Sequence, residues 1–131
     1  MVALLDGNVL IALTATEHVH YRQVHRWLNL HDDLVATCPI TQGTLLRFLL
    51  REGLRGTEAL LKLGQIVELP KHVFWPDEIG YGTPMMSGVI GHRQVTDAYL
   101  VALASYFGGS LVTLDKGLTA LHGHSVELIS T

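Results

Sequence analysis

The chain has 131 residues, 48% of them hydrophobic and 16% charged, enough for one well-buried core and too few for two ordinary domains. A net charge of -3 excludes a globally basic nucleic-acid binder, so any RNA contact must rest on a local cluster of Arg and Lys. The single cysteine, Cys38, excludes an intramolecular disulfide and a cysteine zinc site; it is expected to be a small core residue in a reducing cytosol.

Val2 to Leu5 is an uninterrupted apolar run, the pattern of a strand buried on both faces, and it stops at Asp6 and Gly7. Asn8 is expected to cap the helix that follows. The apolar stretch MVALLDGNVLIALTA lacks a basic n-region and carries Asp6 and Asn8, so the start reads as strand, turn and helix rather than an export signal. No stretch approaches the roughly 18 apolar residues of a membrane span, and a cytoplasmic protein is expected. Tyr21, Val24, Trp27 and Leu28 recur at helical spacing, and Leu34 to Thr37 reads as a short strand.

From Thr41 a further helix begins, in which Leu45, Leu46, Phe48, Leu49 and Leu50 cover about 200° of the wheel, wider than the roughly 100° stripe one core face needs. The excess predicts a second covered face, either inside the domain or across a homodimer or partner interface through Leu45 to Leu50; the low charged fraction also points to a permanent partner. Gly53 and Gly56 close this helix. Thr57 is expected to cap another over Glu58 to Gln65, before a strand at Ile66 to Leu69.

Residues 70–92 are punctuated by Pro70, Pro76 and Pro84, with one short strand expected near Val73 and a short helix near Met85 to Ile90. Ala98 to Ser105 is the clearest helix, with Thr96 as its cap and Gly108 and Gly109 as its stop. Ser110 to Leu114 is a strand ending at Asp115, Lys116 to Leu121 a short helical turn, and Val126 to Ile129 a last strand. Alternation of strand and helix predicts an α/β domain, a mostly parallel sheet with helices on both sides.

Asp6 and Asp115 end strands and Asp97 lies in the first turn of a helix, positions that an open parallel sheet gathers at the carboxyl edge of its strands. Singly, each is ordinary capping or turn chemistry. Together they repel by about 4 kcal/mol gross for a pair at about 4 Å in an effective dielectric near 20, so the cluster calls for a counter-charge. Hard oxygen donors without cysteine select Mg²⁺ or Mn²⁺, cations that promote phosphodiester hydrolysis.

LLDGNVLIAL, CPITQGTLLRFLLREG, HRQVTDAYLVALA and GGSLVTLDKGL together resemble the VapC group of PIN-domain proteins, toxins of type II toxin-antitoxin pairs, in order and over nearly the full length. The resemblance implies a single PIN domain over 1–131, folded as a three-layer sandwich. It also implies a Mg²⁺- or Mn²⁺-dependent endoribonuclease acting on structured RNA such as tRNA or ribosomal RNA, silenced by a VapB-like antitoxin and commonly dimeric. Asp6, Asp97 and Asp115 match the family's acids, and Asn8 matches the polar residue after the first of them.

The sequence departs from the family at Gln42, where a glutamate is usual. An amide accepts a hydrogen bond but supplies neither charge nor a base at neutral pH. One well-occupied metal site through Asp6 and Asp97 is therefore expected, and restoring Glu at 42 is expected to raise activity. The alternative is a weak or silent PIN fold that binds RNA or antitoxin without cutting.

Arg93, four residues before Asp97, is the first candidate for an RNA phosphate contact, with His92 and Arg47 beside it; Arg22, Arg26, Arg51 and Arg55 read as solvated. His18, His20, His25, His122 and His124 lack the spacing of a zinc helix and read as exposed or capping. Trp75 could stack a base, although packing under a loop is the plainer reading. A receiver domain lacks its mid-chain aspartate, and an aspartyl phosphatase would need an acid where Asn8 stands.

Overall fold

The computed structural model describes residues 1–131, with His124 described by its backbone alone. Strands β1 (Ala3–Leu5), β2 (Val35–Thr37), β3 (His72–Phe74), β4 (Ser110–Thr113) and β5 (Val126–Leu128) form one sheet in the order β3-β2-β1-β4-β5. Every pairing is parallel, with Ala3 opposite Val35 and Leu4 opposite Leu111. The central strands β1 and β2 are buried throughout, which is why their sequences read as unbroken apolar runs.

Side chains alternate across the sheet and feed two cores. Ala3, Leu5 and Val35 pack with Val9, Leu10, Val24, Leu45 and Leu63 on one face. There lie α1 (Gly7–Thr14), α2 (Tyr21–Leu30), α3 (Pro39–Arg51) and α4 (Gly56–Val67). Leu4, Ala36 and Leu111 pack with Tyr99, Leu100 and Leu103 on the other face. That face carries α5 (Thr83–Met86), α6 (Gln94–Tyr106) and α7 (Lys116–His122). The expected three-layer α/β sandwich is the observed one.

Several local expectations are corrected. Ile66 to Leu69 is not a strand: α4 runs on to Val67, because Ala59, Leu63 and Ile66 hold a buried stripe at helical spacing. The strand follows only at His72. The helix caps also move upstream, Asp6 rather than Asn8 capping α1, Arg55 rather than Thr57 preceding α4, and Arg93 rather than Thr96 preceding α6. The short helix near Met85 starts at Thr83 and ends at Met86, Pro84 fitting its first turn. Cys38 is buried, as expected. Trp75 is buried too, stacked on Phe107 at 4.7 Å, so it offers no face to a base.

The broad apolar arc of α3 is consumed within the domain. Leu45 and Leu49 are buried, and Leu46 and Phe48 pack against the same core, leaving Leu50 as the exposed member. For a homodimer through Leu45 to Leu50 this leaves Leu50 and the half-buried Leu46 and Phe48 as contact surface. Exposed apolar surface lies instead on α4 and β3, at Leu60, Leu61, Val67 and Phe74, around a groove of about 1000 Å³. Among the described residues, no helix is long and apolar enough to cross a membrane.

Close packing of α1 on α3 sets the entrance to the sheet's carboxyl edge. A Cβ on Gly7 would stand 2.7 Å from the Thr44 Cβ, so only glycine admits this approach. Thr44 is thereby held beside the turn that carries Asp6.

Candidate active site

Asp6 leaves β1 with its N–H donating to the Val112 carbonyl at 2.9 Å, so it continues the β1–β4 ladder. Its Oδ1 accepts from the Gly7 N–H at 2.8 Å and caps α1. Its Oδ2 accepts from the Thr113 hydroxyl at 2.7 Å. The same Thr113 oxygen accepts from the Asp115 N–H at 3.0 Å, tying the ends of β1 and β4 together. Asp115 caps α7, its Oδ1 accepting from the Gly117 N–H at 2.8 Å.

Asp97 sits half-buried in the first turn of α6, and its carboxylate takes part in no hydrogen bond or ion pair among the described residues. Burial, then the charges of Asp6 and Asp115, raise its carboxyl to about 6. Burial also raises Asp6, opposed by its bonds from Thr113 and Gly7, with the Asp115 charge raising it further. The three acids are thus close enough to feel one another, and a cationic partner is missing.

That deficit suits a hard divalent cation. Among the described residues, no three His, Cys, Asp or Glu side chains form a ready-made metal cage. Mg²⁺ needs none, since it keeps several waters and uses one or two carboxylates. Asp6, rigidly held with lone pairs to spare, and Asp97, with both oxygens uncommitted, fit such an open site.

The other candidates divide. Arg93 joins Asp97 and Asp115 in lining a pocket of about 240 Å³. Arg47 reaches toward the α1 start from the opposite side, its Nη2 donating to the Thr44 hydroxyl at 3.4 Å. Asn8 is exposed in the first turn of α1, and His92 is exposed just before α6, outside the pocket lining. Gln42 stands apart: its Nε2 donates to Thr37 Oγ1 at 3.0 Å, and that hydroxyl also bonds His72 Nε2 at 2.7 Å. It lines the α3–α4 groove, where none of the three acids is found. On α3 the side chain that stands against Gly7, the residue after Asp6, is that of Thr44.

Sequence reasoning missed Thr113, Thr44 and His122. For Thr113 a signal existed: a hydroxyl on the last residue of a buried strand has only the neighbouring strand end to bond. His122 lines the same pocket as Asp97 and Asp115. The side chain of His124, its sequence neighbour in the zinc reading, lies outside the described residues.

Comparison with known proteins gives this cluster its context. The PIN domain profile matches residues 3–123. Over its full length the chain is 48% identical to ribonuclease VapC29 of Mycobacterium tuberculosis, covering 98% of that protein. The chain belongs to the VapC-type PIN-domain ribonuclease toxins. VapC39 of the same organism is 37% identical, over 90% of this chain and 91% of that protein.

Solved VapC-type structures share the fold. VapC20 of Mycobacterium tuberculosis, described as a sarcin-ricin loop cleaving toxin, superposes with a TM-score of 0.69 at 14% identity, over 90% of this chain and 93% of that one. A chain of VapBC2 from Rickettsia felis, bound to a DNA fragment from the promoter, gives 0.68 at 12% identity, over 99% and 100%. At such identities the likeness is one of fold.

Proposed function

We propose that this chain acts in the cytoplasm, as one PIN domain, as a Mg²⁺- or Mn²⁺-dependent endoribonuclease on structured RNA, tRNA or ribosomal RNA, and is neutralised by a VapB-like antitoxin. The observation that carries the proposal is the convergence of the three acids, Asp6 and Asp115 joined through the Thr113 hydroxyl and Asp97 lining one pocket with Asp115. Asp6 and Asp97 would hold the cation, with Asp115 completing the negative field. When bound, such a cation lowers the pKa of water and offsets phosphate charge as the phosphorus becomes five-coordinate.

The chain's own residues supply position. The Thr113 hydroxyl fixes the Asp6 carboxylate and the start of the Asp115 turn at once. Arg93 and Arg47, on opposite sides of the acids, draw in the RNA backbone that a net charge of -3 would otherwise repel. Asn8 and His92 flank the approach. The apolar groove of Leu60, Leu61, Val67 and Phe74 is assigned to the antitoxin, a surface that calls for cover. Leu61→Glu is expected to weaken the antitoxin complex with cleavage intact; unchanged affinity would reject that assignment.

The test is incubation of antitoxin-free protein with total RNA and Mn²⁺. Discrete fragments that vanish with chelator or with Asp97→Asn support the nuclease. Retention of RNA without scission supports instead the silent binder that the missing glutamate on α3 would favour.

A further inference from the structure

We propose that His122 and Arg93 form a phosphate subsite beside the acids, holding an RNA phosphate next to the one cleaved; the proposal rests on the nuclease reading above. Both residues line the pocket of about 240 Å³ that also contains Asp97 and Asp115. His122 belongs to the last turn of α7, four residues after the buried Leu118, and this spacing sets both on the α7 face that shares the pocket with α6. Its ring also borders an adjoining cavity of about 260 Å³ with Ala98 and Val101.

His122 Nε2 is closed off from solvent and has no hydrogen-bond partner. Such an atom is rare in folded chains and calls for an explanation. A ligand oxygen seated in the pocket, with a small rotation of the imidazole, supplies the missing partner. The Arg93 guanidinium, across the pocket at the N-cap of α6, likewise takes part in no hydrogen bond or ion pair among the described residues.

Phosphate is the ligand class that two N–H donors share most readily, because its oxygens accept from guanidinium and imidazole together. Of the other lining residues, Leu118 and Leu121 offer no polar group for a base edge, and the Gln94 Oε1 is already engaged by the Ile90 and Gly91 N–H groups. Asp97 and Asp115 would repel a bare phosphodiester, so occupancy of the subsite is coupled to the cation held by the acids. The phosphate and the cation then strengthen each other's binding.

The wild-type protein is titrated with Mg²⁺ and inorganic phosphate, then with Mg²⁺ and a short oligoribonucleotide, while the His122 imidazole is followed by ¹H–¹⁵N NMR. The expected result is a shift at Nε2 with either probe, larger when Mg²⁺ is present. In cleavage assays His122→Ala raises KM about tenfold with kcat within about twofold, the loss of one hydrogen bond to a charged group. His122→Gln, whose amide nitrogen replaces Nε2, restores most of it, and Mg²⁺ affinity measured without phosphate or RNA is unchanged in both. Arg93→Ala lowers the salt slope of RNA binding by about one.

An unmoved Nε2 resonance, or an unchanged KM in His122→Ala, overturns the proposal and leaves His122 as packing. A fall in Mg²⁺ affinity measured without phosphate or RNA also overturns it, assigning the ring to support of the acids. If His122→Ala does not fold, the wild-type titration and the glutamine variant still decide. Absence of cleavage by the wild-type protein would instead reject the nuclease reading, and the NMR titration would judge the subsite by itself.

Discussion

Asp97 holds its proton more tightly in the folded protein than in the unfolded chain, about 6 against an ordinary 3.8, because burial, Asp6 and Asp115 all oppose its charge. Between those values the folded state binds the proton that the unfolded chain has released. Stability of the cation-free protein therefore falls as pH rises from about 4 to about 6, and stays lower above it. Asp97→Asn is expected to raise the thermal midpoint at pH 7.5 without cation, to flatten the slope below pH 6, and to abolish stabilisation by Mn²⁺. A midpoint that drops in this variant would contradict the repulsion. Gln42 illustrates the opposite case, a suspected site residue whose amide is already engaged with Thr37. Gln42→Glu is expected to change RNA cleavage by less than about threefold; a large gain would return position 42 to the site.

At the level of elements, the strands that carry Asp6 and Asp115 were legible because burial on both faces forces unbroken apolar runs, and each run ends at its acid. Ile66 to Leu69 was not, since a short apolar run at a helix end looks the same as a buried strand. The facing of α3 was illegible for another reason: residues 42 and 44 stand about 200° apart on the wheel, and nothing local says which turns to the acids. The α1–α3 contact fixes one point of that facing, Thr44 against Gly7. Gly7→Ala forces these helices apart, with an expected cost of about 1–3 kcal/mol from overpacking. Denaturant unfolding measures it, and because Asp6 caps the displaced helix, RNA cleavage should fall as well. A neutral Gly7→Ala would mean that the helices have slack.

For the whole molecule, the parallel order with β1 and β4 side by side turns distant positions of the sequence into one carboxyl edge, to which the proposed RNA contacts of Arg47 and Arg93 are assigned. The apolar surplus legible in the composition is real, yet it lies on α4 and β3 rather than on α3, because the wide arc of α3 is used up by its own neighbours. Gathering of three acids around a single cation is the claim on which the nuclease reading depends. Anomalous scattering from a crystal grown in Mn²⁺ tests it most directly. One strong peak bridging Asp6 and Asp97, with Asp115 facing it, is the predicted result; carboxylates turned to separate solvent with no manganese between them would contradict the account.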